Sequence, residues 1–160
     1  MRPERSELSA FGVERENEGK TLLLRGVIDE NADLGFFTDL HGQIVVNLKA
    51  VRRINSYGVR SWIEAIRTVP ADARLDFVEC PPPVIDQVNM ISGFLGPGAV
   101  SSFYAPMACT ACGHEMDALL DVETCRQAGS RVPPTSCPRC NATMEVDDLE
   151  EQYLLFVRES

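Results

Sequence analysis

Val59, Trp62, Ile63, Ile66 and Val69 recur at i, i+3, i+4, i+7 and i+10, so a helix here turns all five to one side. Arg60, Glu64 and Arg67 then fall elsewhere on the cylinder. Asn55 or Ser56 stands where such a helix takes its cap, and Pro70 stops it. A second helix is predicted after Pro81-Pro82-Pro83, which supplies proline to the first turn. Its apolar positions are Val84, Val88, Ile91 and Leu95, and Gly93, Gly96, Pro97 and Gly98 end it.

Around these helices the period changes to that of strands. TLLLRGVI over 21–28 carries β-branched residues at its end and follows the turn Gly19-Lys20. IVVNL over 44–48 is a short apolar run suited to a fully buried strand. RLDFVEC over 74–80 is another strand, residues 100–104 a last one, and residues 9–13 a short edge strand. Residues 33–40 leave room for a turn or two of helix. Strands alternating with amphipathic helices imply an α/β domain, a mixed sheet with its helices mainly on one face, over residues 8–104.

The remainder, residues 105–160, has a different logic. Cys109 with Cys112 and Cys137 with Cys140 form two C-x-x-C pairs separated by 24 residues. Each pair places two thiolates on a tight turn, and two such turns close a tetrahedral metal site, so a small β zinc ribbon is predicted, with Zn as the cofactor. A closed four-thiolate shell leaves no coordination position for water, which points to structure over catalysis. Rubredoxin-like iron and four free thiols are the alternatives. His114-Glu115 begins like H-E-x-x-H, but Ala118 stands at the fifth position, and the H-x-E that a zinc deaminase needs is also missing. Cys125 is expected as a packed or exposed free thiol, Cys80 as a small core residue, and His41 as isolated in a turn. Tyr153, Leu154, Leu155 and Phe156 need burial against the ribbon, the front domain or another subunit.

Charge narrows the functional classes. The 160-residue chain has a formal net charge of −9. Residues 106–160 carry 4 basic and 10 acidic side chains, with no lysine. Zinc ribbons that bind nucleic acid need Lys and Arg to displace the counterions condensed on phosphates, so nucleic acid is not an expected partner. The first ten residues lack an apolar export segment and no run approaches about 18 apolar residues. The expectation is a cytoplasmic protein without direct membrane insertion, whose cysteines hold a metal in a reducing compartment.

The order strand, G-x-I-D, IVVNL, then I-N-S-Y-G-V opening a helix, then a strand and a second helix ending in a glycine turn, resembles the STAS family. That family includes the bacterial anti-sigma factor antagonists, stress-signalling scaffold proteins and small domains attached to anion and lipid transporters. Asn55-Ser56-Tyr57-Gly58 is similar to the family's D-S-S/T-G turn. The resemblance implies a non-enzymatic signalling adaptor, with Arg53, Asn55, Ser56, Tyr57, Gly58 and Arg60 meeting a regulatory protein such as an anti-sigma factor or a kinase-like partner. In phospho-regulated members the hydroxyl residue before the glycine is the phosphoacceptor. Tyr57 occupies that place here, and Asn55 replaces the family's Asp, so the adaptor is expected to work without the usual serine phospho-switch. Ser56 is then left to cap or pack the helix start. An accessory subunit of a transporter complex and a rubredoxin-like electron carrier are the alternative functions.

Overall fold

A computed structural model describes residues 10–159. Strand β1 (Gly12–Glu16) pairs antiparallel with β2 (Thr21–Ile28), and β2 pairs parallel with β3 (Gln43–Ile54). Helix α1 (Ser56–Ile66) crosses to β4 (Arg74–Val78), and α2 (Pro82–Met90) crosses to β5 (Ala99–Val100). The five strands lie in sequence order, β1 to β5, with β3, β4 and β5 parallel. A mixed sheet with amphipathic helices is therefore the architecture, as the periodicities predict. Residues 8 and 9, where the front domain and its edge strand were expected to begin, lie outside the described residues.

Alternation along the strands sets which face is dry. Leu22, Leu24 and Ile28 of β2, Ile44, Val46 and Leu48 of β3, and Leu75 and Phe77 of β4 are buried, while their neighbours are more exposed. Trp62 enters this core from α1, stacks on Phe94 at 5.4 Å between centroids and meets Phe37 edge-on at 5.2 Å. Its indole N–H donates to the Phe94 carbonyl at 2.7 Å, so the one polar atom of the ring is satisfied where it is buried. Residues 35–39 form a short 3-10 turn that delivers Phe37 to the same core.

Several boundaries differ from the sequence expectation: the edge strand expected over 9–13 is Gly12–Glu16, the strand over 74–80 ends at Val78, and the first helix ends at Ile66, short of Val69. The strand expected over 44–48 runs on to Ile54. Its alternation changes phase at Lys49 and Ala50, both exposed, with Leu48 and Val51 both buried, and the pairing with β2 shifts register in the same region. A bulged strand loses the period-2 pattern that would have marked it. The second helix ends at Met90, so Ile91 is its cap and Leu95 belongs to the following turn.

The expected strand over 100–104 is also two strands. Val100 of β5 pairs with Phe77 in the first sheet, and β6 (Ser102–Ala108) starts the second. The change of sheet is fixed by three backbone bonds: Ser101 N–H to the Phe77 carbonyl at 2.9 Å, Cys80 N–H to Ser102 at 3.1 Å, and Tyr104 N–H to Cys80 at 2.8 Å. The second sheet has the order β7-β6-β8, with β7 (Glu115–Asp121) and β8 (Glu145–Val146) both antiparallel to β6. Helix α3 (Val122–Gln127) follows β7, and two short helices, α4 (Glu150–Tyr153) and α5 (Leu155–Glu159), end the chain.

The apolar tail residues are accommodated by both sheets' elements. Tyr153, Leu154, Phe156 and Val157 are buried, and Phe103 of β6 meets Phe156 edge-on at 4.9 Å. Asn89 of α2 donates from Nδ2 to the Tyr153 carbonyl at 2.9 Å and accepts from the Phe156 N–H at 3.0 Å. The Tyr153 hydroxyl donates to the Tyr104 carbonyl at 2.5 Å. One buried cluster runs through residues of both sheets as a result.

Candidate metal centre

The first knuckle hangs from the end of β6 and the second lies just before β8. In the first, Cys109 N–H bonds to the His114 carbonyl at 2.8 Å and Gly113 N–H returns to Cys109 at 2.8 Å. The second repeats the pattern: Cys137 N–H bonds to Ala142 at 2.7 Å and Asn141 N–H to Cys137 at 2.9 Å. Each loop needs a left-handed residue directly after its second cysteine, supplied by Gly113 at φ 79° and Asn141 at φ 64°. Asn141 after Cys140 is the sequence signal equivalent to Gly113 after Cys112, and it is absent from the predicted site.

The knuckles bring all four sulfurs to within 4.8 Å of one another. The shortest approaches cross between knuckles, Cys109 Sγ to Cys140 Sγ at 3.4 Å and Cys112 Sγ to Cys137 Sγ at 3.6 Å. A tetrahedral ion with metal–sulfur bonds of about 2.3 Å has sulfur–sulfur edges of about 3.8 Å, so the observed set suits it. Cys109 and Cys137 are buried, while Cys112 and Cys140 form the exposed side of the group.

Local N–H groups prepare two of the thiols for ionisation. The N–H of Cys112 directed at Cys109 brings its pKa down to about 7 against the opposing effect of burial. Burial raises Cys137, but the N–H groups of Arg139 and Cys140 more than offset it, and its pKa is lowered. At Cys140 the N–H of Ala142 favours the thiolate, yet the Cys109 sulfur and burial outweigh it and push the thiol up to about 12. Cys112 is raised in the same manner, the N–H of His114 being outweighed by burial and the Cys137 sulfur. Four sulfurs cannot all carry charge at this spacing without a cation among them, and a divalent ion supplies it.

Nothing else joins this group: among the described residues, Cys109, Cys112, Cys137 and Cys140 are the only such cluster found. The 24 residues between the pairs hold more than the hairpin expected of a ribbon, because α3 follows β7 and buries Cys125. Cys125 is thus the packed alternative of the two expected for it. Cys80 is fully buried. His41 is exposed and faces Asp72 at 3.1 Å.

The turn singled out in the front domain is also well defined. Asn55 caps α1, its Oδ1 accepting from the Gly58 N–H at 2.8 Å, so the cap is Asn55 and not Ser56, which is exposed. Asn55 N–H bonds to the Ile28 carbonyl at 3.2 Å, and Asn55 Nδ2 donates to Glu30 at 3.3 Å. Gly58 is buried against the end of β2, where a Cβ would come within 1.8 Å of the Ile28 oxygen. Tyr57 projects outward, 65% exposed. Arg52, Arg53, Arg60 and Arg67 are exposed, with Arg60 lying 3.8 Å from Glu64 on the same helix.

Among the described residues no helix is long and apolar enough to cross a membrane. Comparison with protein-family models, with curated proteins and with solved structures gives no match to this chain.

Proposed function

We propose that this protein is a non-enzymatic signalling adaptor that binds a regulatory protein through the Asn55–Gly58 turn and the face of α1 beside it, and that zinc holds its C-terminal ribbon. The observation that carries the reading is Tyr57, an exposed aromatic side chain on a backbone fixed by the Asn55 cap and by Gly58 against β2. A rigid amphipathic ring of this kind loses little conformational entropy on binding and serves well as an interface anchor. Exposed Arg53 and Arg60 flank it in an acidic chain, which favours an acidic partner surface.

Two features support binding without serine phosphorylation. Glu30 stands at the helix start through Asn55, so a phosphate on Ser56 would meet a carboxylate there. The residue before the glycine is a tyrosine, as the STAS resemblance makes relevant. For the metal, an all-thiolate tetrahedral set favours zinc.

The test begins with affinity purification from the native organism. Against the protein that copurifies, Tyr57→Ala should weaken binding at least about fivefold, corresponding to ~1 kcal/mol, and Ser56→Ala should leave it nearly unchanged. Arg60→Glu should slow association. Binding that survives Tyr57→Ala, or that is switched off by phosphate on Ser56, overturns the proposal. Elemental analysis should give about one zinc per chain; a red, iron-containing protein would point to electron transfer instead.

A further inference from the structure

We propose that two adjoining grooves on either side of Asp148 form a docking surface for a basic amphipathic segment of a partner protein. The first groove, about 440 Å³, is lined by the apolar Met107, Val132, Pro133, Met144 and Val146 together with Glu145, Asp148 and Glu150. The second, about 490 Å³, runs between α2 and the C-terminal helices and is lined by Asp86, Met90, Tyr153 and Leu155. Asp148 lines both, which makes them one continuous surface.

The chemistry of this surface selects its occupant. Met90 and Leu149, 75% and 63% exposed, are two of the four large apolar side chains left in water among the described residues, and they lie at or beside the shared Asp148. No Lys, Arg or His lines either groove. None of Asp86, Glu145, Asp148 and Glu150 takes part in an ion pair among the described residues. Glu150 is held in place by the Val132 N–H at 2.9 Å, so its position on the rim is preset.

Burial, and then the charge of Asp148, raise the Asp86 carboxyl above its ordinary value. A lysine or arginine placed between these carboxylates removes that repulsion, and the apolar face of the same segment covers exposed Met90 and Leu149 and half-buried Val132, Pro133 and Val146. This is the arrangement of an amphipathic helix seated in a groove, with charge selecting a basic partner and excluding anionic membranes and nucleic acid. The surface is opposite in charge to the arginines near Tyr57, so it selects a partner of the opposite charge to that expected at the turn.

The probe is a synthetic helical peptide of leucines and lysines at i, i+3, i+4 spacing, titrated into the isotope-labelled, zinc-loaded full chain. Amide shifts should concentrate at residues 86–90 and 144–153, and a counterpart with glutamate for every lysine should not bind. Asp148→Lys should weaken the peptide at least tenfold, while Glu14→Lys on β1 changes affinity less than twofold and Tyr57→Ala leaves it unaltered. Shifts scattered over the whole acidic surface, or equal losses from Asp148→Lys and Glu14→Lys, overturn the proposal as unspecific attraction. Concentration-dependent shifts of the same amides without peptide overturn it in favour of a second copy of the chain. The shift map needs no variant, so misfolding of Asp148→Lys cannot obscure the outcome.

Discussion

Asn89 grips the backbone at Phe156 with both ends of its side-chain amide: it accepts from the Phe156 N–H and donates to the Tyr153 carbonyl three residues earlier. Residues more than sixty positions apart are thereby tied across the two parts of the chain. The pair of bonds uses one donor and one acceptor of the tail that no helix would satisfy, since α4 and α5 are single turns.

Asn89→Ala should therefore cost about 2–4 kcal/mol, because two part-buried backbone groups lose their partners at once. Denaturant unfolding should show a lower midpoint with an unchanged slope. A loss under about 0.5 kcal/mol would mean that water replaces the amide freely.

Gly58→Ala tests the seat of the turn. Its Cβ would meet the Ile28 carbonyl oxygen at 1.8 Å, and that atom is backbone in a paired strand, unable to swing aside. Overpacking typically costs about 1–3 kcal/mol, and a rigid neighbour places this variant at or above the upper end. Thermal unfolding of Gly58→Ala beside Gly58→Ser should show both severely destabilised; near wild-type stability would contradict the close approach of α1 to β2.

The parts of this molecule that were legible in sequence share a property: their signal lies in consecutive residues. Val59, Trp62, Ile63 and Ile66 declare α1, and the two C-x-x-C pairs declare the cysteine cluster that the folded chain assembles. Long-range geometry left no such mark. The extension of β3 was hidden by the phase change at Lys49 and Ala50, and the split at Ser101 by the shortness of β5, whose two residues are too few to show a period of their own. Nothing local distinguishes Asn55 from Ser56 as the cap, since both are favoured there; the contact with Glu30 and Ile28 decides it. Asn89 looked like any polar helix residue, because its partners are two backbone groups in another element.

The two packed thiols should be inert where the metal ligands are reactive. Burial pushes Cys125 up to about 11, helped by Asp121 and Glu150, and burial raises Cys80 still further, with Asp76 adding to it. The thiolate is the nucleophile, so at pH 8 iodoacetamide should leave both unmodified in the folded chain, while chelator-treated protein is labelled first at Cys109 and Cys137, whose pKa values are lowered. A raised folded-state pKa means that the folded chain holds its proton more tightly than the unfolded one. The stability tied to that proton is fully present below about pH 9 and is lost as pH rises toward 11. Melting temperature should fall over this window, and more gently in Cys125→Ala. Rapid labelling of Cys125 at pH 8 would refute its packing.

Metal removal should act locally before it acts globally. Apart from the proposed metal, the turns of both knuckles rest on a few backbone bonds, whereas β6 and the terminal helices are held by Phe103, Tyr153 and Phe156 and by the Asn89 amide. Cys137→Ser or a chelator should abolish metal binding and strip hydrogen-exchange protection first from the two knuckles, at residues 109–114 and 137–144. Protection at residues 103–107 and 153–157 should persist with that of α2, since these residues share one buried cluster. The difference decides how the chain is organised. Loss of protection from residue 102 onward as one unit would make the ribbon a separate folding module, whereas loss confined to the knuckles means that the terminal helices belong energetically to the front sheet and that the metal fixes only the ends of the loops between them.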